Sequence, residues 1–329
     1  VGPDVPPRDF AEVLPALPGG CDVKRRSKIM IGLKWNHLRH WRAMKIKAPV
    51  VVSLNGAPKA KYPVIDFEVG VDGGSFGTMN RIDKMPDKER VAFVAHWGRV
   101  SPPLERNPWD AQTHARKAKH AIWGLGRMWV GWVGPQDMMV EDFMLEKTGL
   151  TVLEHQRRTV ENYVALCELG PDIPWLPVLQ GQTLADYLTH VEMYRAVGVD
   201  LSESEWVGVG SMCRRQGTIE AATILAALIR RGLRVHALGV KADGLKMLRM
   251  LLTPWQWENM VRSDSAAWSS HAFHGKILMD GHYHGDKTKN CANCPTYANV
   301  RRQETEASIW GSLWTTRTST SGSPSSGAS

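Results

Sequence analysis

Residues 206–211 read WVGVGS, between two segments of a different rhythm, TLADYLTHVEMYRAVG (183–198) and TIEAATILAALIRRG (218–232). The short stretch is apolar until glycine and serine end it, which is the pattern of a strand buried on both faces. Its neighbours repeat apolar residues at three and four, open at threonine and stop at Gly198 and Gly232, as helices do. The alternation extends outward. PWLPVLQG (174–181) and RVHALGV (234–240) read as strands. TGLTVLEHQRRTVENYVALCELG (148–170) reads as a helix with a capping box from Thr151 to Glu154 and a stop at Gly170. DGLKMLRMLL (243–252) reads as a short helix and DSAAWSS (264–270) as a last strand. Toward the N-terminus, KIMIGL (28–33), APVVVSL (48–54), FEVGVDGG (67–74) and RMWVGWVGPQD (127–137) supply earlier strands. Residues 80–125, with SPPLERNPWD inside them, carry no pattern that places an element.

Strand-then-helix repetition with fully apolar strands specifies an α/β protein with a parallel sheet, either a (β/α)8 TIM barrel or an open doubly wound sheet. The 329 residues, 43% apolar, suit one barrel of about 250 residues with tails. The expected organisation is an irregular segment over 1–27, a barrel domain over 28–312 and a disordered Ser/Thr/Gly-rich tail over 313–329. A net charge of +8 and a pI near 9.3 favour a polyanionic partner without specifying a fold. The five cysteines, Cys21, Cys167, Cys213, Cys291 and Cys294, are odd in number and scattered, which argues against a disulfide framework. There is no apolar run of membrane-spanning length, and VGPDVPPRDF lacks the features of a signal peptide. The expected location is therefore cytoplasmic.

Chemistry-bearing residues cluster where strands end. Asp72 closes an apolar strand and is followed by two glycines, a pattern shared by ligand-approaching backbone and by ordinary turns. Asp137 follows GPQ, Gln180 and Gly181 follow VL, Gly208 and Gly210 punctuate WVGVGS, and Asp264 opens the small-residue stretch. In a barrel these ends form one mouth, and in an open sheet they form one crevice. Two carboxylates and an amide around such a mouth suit combined nucleophilic and acid–base work. Arg214 and Arg215, just beyond, have the guanidinium forks that suit phosphate oxygens, or else begin a solvated helix. Cys213 reads as a packed small residue. In HYHGDKTKNCANC (282–294), Cys291 and Cys294 form a Cys-x-x-Cys knuckle with His282 and His284 upstream. This suits tetrahedral Zn2+, with His271 and His274 as other nearby imidazoles and a redox dithiol as the competing reading.

The segment DGGSF resembles the Asp-Ser-Gly-Gly-Phe segment of tRNA-guanine transglycosylases. VLQG, VGVGS and DSAAW follow in that family's order, ahead of a zinc knuckle. The closer resemblance is to DpdA-type transglycosylases, which place 7-deazaguanines in DNA and are common in bacteriophages; LTVLEHQRRTVENY, PVLQG, GVGSMCRRQ and NCANCPTYA carry it. The likeness spans roughly residues 45–305. It implies a TIM barrel with a small zinc-binding subdomain near the C-terminus, about residues 271–300. It also implies exchange of guanine in DNA for a preQ0-type base, with tRNA as the alternative substrate and a non-catalytic nucleic-acid-binding barrel as another. On this resemblance Asp264 is the nucleophile toward C1′ and Asp72 the general acid/base. Asp137, Gln180, Gly181, Gly208 and Gly210 line the purine, and Arg214 and Arg215 hold phosphates. The base must leave the stack before a carboxylate reaches the sugar. Two departures stand out: the tRNA enzymes carry Cys-x-Cys-x-x-Cys with a distant histidine, and the serine of DGGSF is displaced relative to DSGGF.

Overall fold

The computed structural model describes residues 28–102, 107–280 and 289–311. Eight strands are described: β1 (Ile29–Gly32), β2 (Val50–Ser53), β3 (Val69–Asp72), β4 (Val130–Val133), β5 (Val178–Leu179), β6 (Val207–Val209), β7 (Val235–Ala237) and β8 (Val261–Ser265). They form one parallel sheet in the order β4-β3-β2-β1-β8-β7-β6-β5. The sheet curls until its outer strands approach each other. Val133 N–H donates to Pro174 O at 2.9 Å and Leu176 N–H to Val133 O at 2.9 Å, making one parallel bridge between the end of β4 and the approach to β5.

Alternation of side chains across each strand explains the layers. Met30, Val51, Trp132, Leu176 and Val178 meet inside the curl, while Ile29, Ile31, Val50, Val52, Val69 and Val71 belong to the larger core under the helices. Each fully buried aliphatic side chain of this kind contributes about 1.5–3 kcal/mol. Gly70 makes the inner packing possible, since a Cβ there would lie 2.4 Å from the Trp132 indole.

The first helices are α1 (His37–Ala43), α2 (Ser75–Met79), α3 (Asp87–His96), α4 (Ala111–Leu125), α5 (Asp142–Thr148) and α6 (Val152–Leu169). They are followed by α7 (Leu184–Ala196), α8 (Ile219–Arg230), α9 (Ala242–Leu251), α10 (Pro254–Met260), α11 (Ala267–His274) and α12 (Pro295–Gly311). The stretch over 80–125 that the pattern left unplaced contains α3 and α4. Asp110 caps α4, its carboxylate accepting from Thr113 N–H. Between β2 and β3 no α-helix is described; a short turn over Leu54–Gly56 begins the crossing.

Two local expectations are corrected. Thr151 does accept from Glu154 N–H, but Glu154 turns its carboxylate to Arg157 and Arg158, so the reciprocal half of the capping box is absent. The reciprocal box is instead found at α7, between Thr183 and Asp186. The last strand is VRSDS, not DSAAWSS: α10 leads directly into β8, and the small residues after Asp264 begin α11. Asp264 therefore sits near the end of its strand, where a mouth residue belongs. Ala266 fits there because Gly32 has no side chain; a Cβ on Gly32 would come within 2.9 Å of the Ala266 Cβ.

Candidate active site

Register brings the acidic residues together. Ser53 pairs with Asp72 across β2 and β3, and Met30 pairs with Asp264 across β1 and β8, so both carboxylates stand near the same, C-terminal edge of the sheet. Asp72 accepts from Gly74 N–H at 3.0 Å and is hydrogen-bonded by the Ser53 side chain. Gly74 takes φ +79°, a left-handed conformation that glycine adopts without steric cost, and the Asn55 amide packs against its bare Cα. A Cβ on Gly73 would lie 2.2 Å from Pro135 O. The two glycines after Asp72 thus let the β3 turn lie directly on the chain leaving β4.

That chain, residues 134–140, carries Asp137, and α6 holds it. His155 donates Nδ1–H to Met139 O at 2.6 Å. Thr159 Oγ1 accepts from Met138 N–H and Asn162 Oδ1 from Gln136 N–H, both at 2.9 Å. These residues lie at i, i+4 and i+7, one face of the helix. The polar letters of HQRRTVENY are therefore a buried clamp on backbone. Burial lowers the His155 pKa to about 4 and keeps the ring neutral, able to accept from Thr148 on its other nitrogen.

From Asp137 a hydrogen-bonded chain crosses the mouth. Gln180 Nε2 donates to Asp137 Oδ2 at 2.5 Å, and Gln180 Oε1 lies 2.7 Å from the Ser211 hydroxyl, which also stands 2.9 Å from Glu141 Oε2. A Cβ on Gly210 would strike the Gln180 amide at 2.4 Å, so Gly210 makes room for this chain. Gly210 O accepts from the Tyr187 hydroxyl at 2.6 Å. Gly208 is placed differently: it lies within β6 against Leu176 and Val178, below the mouth. Gly181 gives its carbonyl to Arg215.

Asp264 Oδ1 accepts from Gly239 N–H at 3.1 Å and lies 3.3 Å from His236 Nε2, ion-pair range without the alignment of a hydrogen bond. His236 is fully buried and packs on Trp132 at 4.8 Å between ring centres. Gly239 takes φ +73°, with Cys213 Sγ close over it. As a residue Cys213 is exposed at the rim, while its sulfur is tucked over Gly239. Burial of its thiol group, with the charges of Glu141 and Asp264, pushes its pKa up to about 11, so it stays protonated and weakly nucleophilic.

Burial, then the charges of Asp137 and Asp264, raise the Asp72 pKa to about 7. That electrostatic reach links the acids of β3 and β8 with Asp137 on the chain leaving β4. The Asp137 carboxyl is raised as well, by burial first, against the hydrogen bonds it receives from Ser75 and Gln180. A mouth of adjacent carboxylates with one held near neutral pH can give and take protons while another stays charged.

The two arginines part company. Arg215 is half-buried and bonds Gly181 O at 2.9 Å, Gln182 O and the Tyr187 hydroxyl, tying the β5 and β6 loops together. Arg214 is exposed, its guanidinium 3.9 Å from the centre of the Phe143 ring. In the knuckle, Cys291 and Cys294 are both buried. Their sulfurs accept from Met279 N–H at 3.2 Å and Tyr297 N–H at 3.4 Å, a donor arrangement that suits thiolate ligands. His271 spends Nδ1 on the Tyr297 hydroxyl at 2.7 Å. His282 and His284 lie outside the described residues, and among the described residues no three His, Cys, Asp or Glu side chains group to hold a metal. The expected zinc subdomain is therefore described only as its cysteine half.

Sequence reasoning missed Ser53, Asn55, Glu141, Ser211 and His236. A histidine inside the apolar RVHALGV was the readable signal for the last. The others are ordinary loop residues until folding brings them to the mouth.

The fold and site define a class: an α/β protein with a curled, all-parallel sheet and an acidic cluster at its strand ends. The chain belongs to the DpdA family, DeoxyPurine in DNA protein A, whose profile matches residues 114–321. The match takes in Asp137, Gln180, Asp264 and the cysteine knuckle, and Asp72 precedes it. No curated protein matches the chain. Among the described residues no helix is long and apolar enough to cross a membrane.

Proposed function

We propose that this protein is a DNA-modification transglycosylase that exchanges guanine for a 7-deazaguanine of the preQ0 type on a (β/α)8 barrel. Family membership supports DNA modification, and the observation that carries the chemistry is the register that brings Asp72 and Asp264 to one edge of the sheet, where burial and the charges of Asp137 and Asp264 push the Asp72 pKa up.

In this reading the Asp264 carboxylate attacks C1′ of the deoxyribose. The C1′–N9 bond breaks, its electron pair stays with guanine, and neutral Asp72 supplies the proton that the departing base takes. A covalent aspartyl-sugar ester results, as in retaining glycoside hydrolysis. The incoming deazaguanine then loses its N9 proton to the Asp72 carboxylate, attacks C1′ and releases Asp264. Proton and charge balance over the two steps. His236 and Gly239 N–H hold Asp264 in place. Asp137, tethered by Gln180, accepts the N–H edge of the purine, while Gly181 and Gly210 shape the pocket. Gly208 supports Gln180's strand from below. Arg214 remains available to phosphate, whereas Arg215 serves the loops. Two neutral-pH carboxyl roles set by different surroundings are a recurrent way to run acid and nucleophile together.

Zn2+ fits the cysteine knuckle in part: Cys291 and Cys294 with His282 and His284 would hold it, and it would fasten the residues between α11 and α12. The barrel domain over 28–312 and the tail after it complete the proposed organisation.

Release of labelled guanine from DNA, and from tRNA in parallel, tests the substrate. Exchange on DNA alone is expected. Exchange confined to tRNA would transfer the chemistry to RNA, and nucleic-acid binding without exchange on either would leave a binding protein.

A further inference from the structure

Next to Asp72, on the outer side of the mouth, runs an open groove of about 670 Å³ that the mechanism above does not use. It begins at Ser53, whose side chain bonds Asp72, and continues over the loops that follow β1 and β2. Its walls carry Lys34, Arg39 and Lys61, all exposed, and among the described residues no carboxylate lines it. Its floor is stiff. Trp35 donates its indole N–H to Ser53 O at 2.8 Å, meets Tyr62 edge-on at 5.5 Å, and lies against Gly56, where a Cβ would come within 3.3 Å of the ring. Lys34 reaches across to Asn293 Oδ1 at 2.5 Å, so one end of the groove is fastened to the cysteine knuckle.

Three cations with no ion-pair partner among the described residues, on a floor that begins at Ser53, the residue paired with Asp72 across β2 and β3, fit a linear polyanion whose reacting sugar lies at the mouth. Trp35 is only 6% exposed, so the floor offers shape rather than a stacking face. We infer that this groove is the track for the DNA backbone flanking the extruded nucleotide, with Lys34, Arg39 and Lys61 each set against a phosphate. The assignment rests on the transglycosylase reading for the position of the sugar. It gives the main phosphate contacts to the β1–β2 side rather than to Arg214 and Arg215, of which the second is already engaged with the loops.

The test replaces all three cations together (Lys34→Ser, Arg39→Ser, Lys61→Ser). A matched control replaces three exposed cations on α4 (Arg116→Ser, Lys117→Ser, Lys119→Ser). Fluorescence anisotropy with duplex DNA is read against salt, and exchange is read for the KM of DNA and of the free base. All six side chains are exposed, so equal melting temperatures check the fold. The groove variant is expected to bind DNA roughly 10- to 100-fold more weakly, with a log–log salt slope shallower by about 2.7. Its KM for DNA should rise while its KM for the base holds. Wild-type affinity and slope in the groove variant, or an equal loss in the α4 control, would overturn the assignment. So would tighter binding of a tRNA stem-loop than of DNA through the same three residues. The two readings fail separately. Exchange at unchanged KM for DNA in the groove variant sinks the groove alone. Groove-dependent DNA binding by a wild type that never exchanges guanine sinks the transglycosylase reading alone.

Discussion

Asp72 is the residue on which the chemistry turns, because its surroundings oppose its charge. Burial is the first cause, and the negative charges of Asp137 and Asp264 add to it, against hydrogen bonds from Gly74 N–H and Ser53 that favour the anion. The folded-state pKa near 7 lies above the ordinary 3.8, so between those values the native chain holds a proton that the unfolded chain has released. Stability from this group is complete below about pH 4 and is lost as pH climbs through 7. An Asp72→Asn variant, which cannot charge, is expected to be more stable than wild type at pH 8 by roughly 3–4 kcal/mol. That advantage should vanish near pH 4 in urea titrations; an advantage independent of pH would remove the electrostatic account. In the proposed exchange, the step in which guanine leaves requires the neutral acid. The wild-type single-turnover rate for that step is expected to fall as pH rises past about 7, and Asp72→Asn should lose the pH dependence together with most of the rate.

Between elements, the site depends on two loops touching along bare backbone. Gly73 lies on the chain at Pro135, whereas Gly77, four residues on, has nothing near its missing Cβ. Gly73→Ala is expected to destabilise the fold by about 1–3 kcal/mol and to reduce exchange by pushing Asp72 away from Asp137. Gly77→Ala, facing open space, is expected to do neither; paired melting curves and exchange rates compare them. Alternation of strand and helix was legible from WVGVGS outward because each apolar run was short and each helix began and stopped on a recognisable residue. The stretch holding α3 and α4 was not, since α3 buries little beyond Phe93 and shows no clear apolar face. The end of β8 was misjudged because serine and alanine serve strand and helix alike, and the deciding fact, α10 running straight into the strand, is a tertiary one. Likewise the sequence reading placed the helix of α6 but gave no role to its polar letters. What those letters meet, the backbone of 136–139, exists only in the folded chain. Asp72, Asp137 and Gln180 were picked out because they close or follow apolar strands, whereas Asp264 was read as opening a strand and the fold sets it near the end of β8 instead. Glu141 and Ser211 join them through loops that no periodicity marks.

Over the whole molecule, a chain of net charge +8 keeps a cluster of carboxylates at its mouth. On the proposed function, the basic surface draws in the polyanion and the acidic centre acts on its sugar. The knuckle lies outside the curled sheet and is tied to the groove. Lys34 is bonded to Asn293, and α12 packs on β1 and α1 beneath the groove. Metal analysis of purified protein is expected to find about one zinc per chain. Cys291→Ser with Cys294→Ser should lose the zinc and melt at a lower temperature; full zinc retention in that double variant would place the metal elsewhere. The central claim, that Asp264 becomes bonded to the sugar, is tested most directly by quenching the enzyme with DNA during turnover and mapping the covalent protein–DNA adduct by peptide mass spectrometry. The adduct is predicted on the peptide containing Asp264 and is predicted to be absent from Asp264→Asn. An adduct on another residue, or guanine exchange at the wild-type rate by Asp264→Asn, would contradict the account.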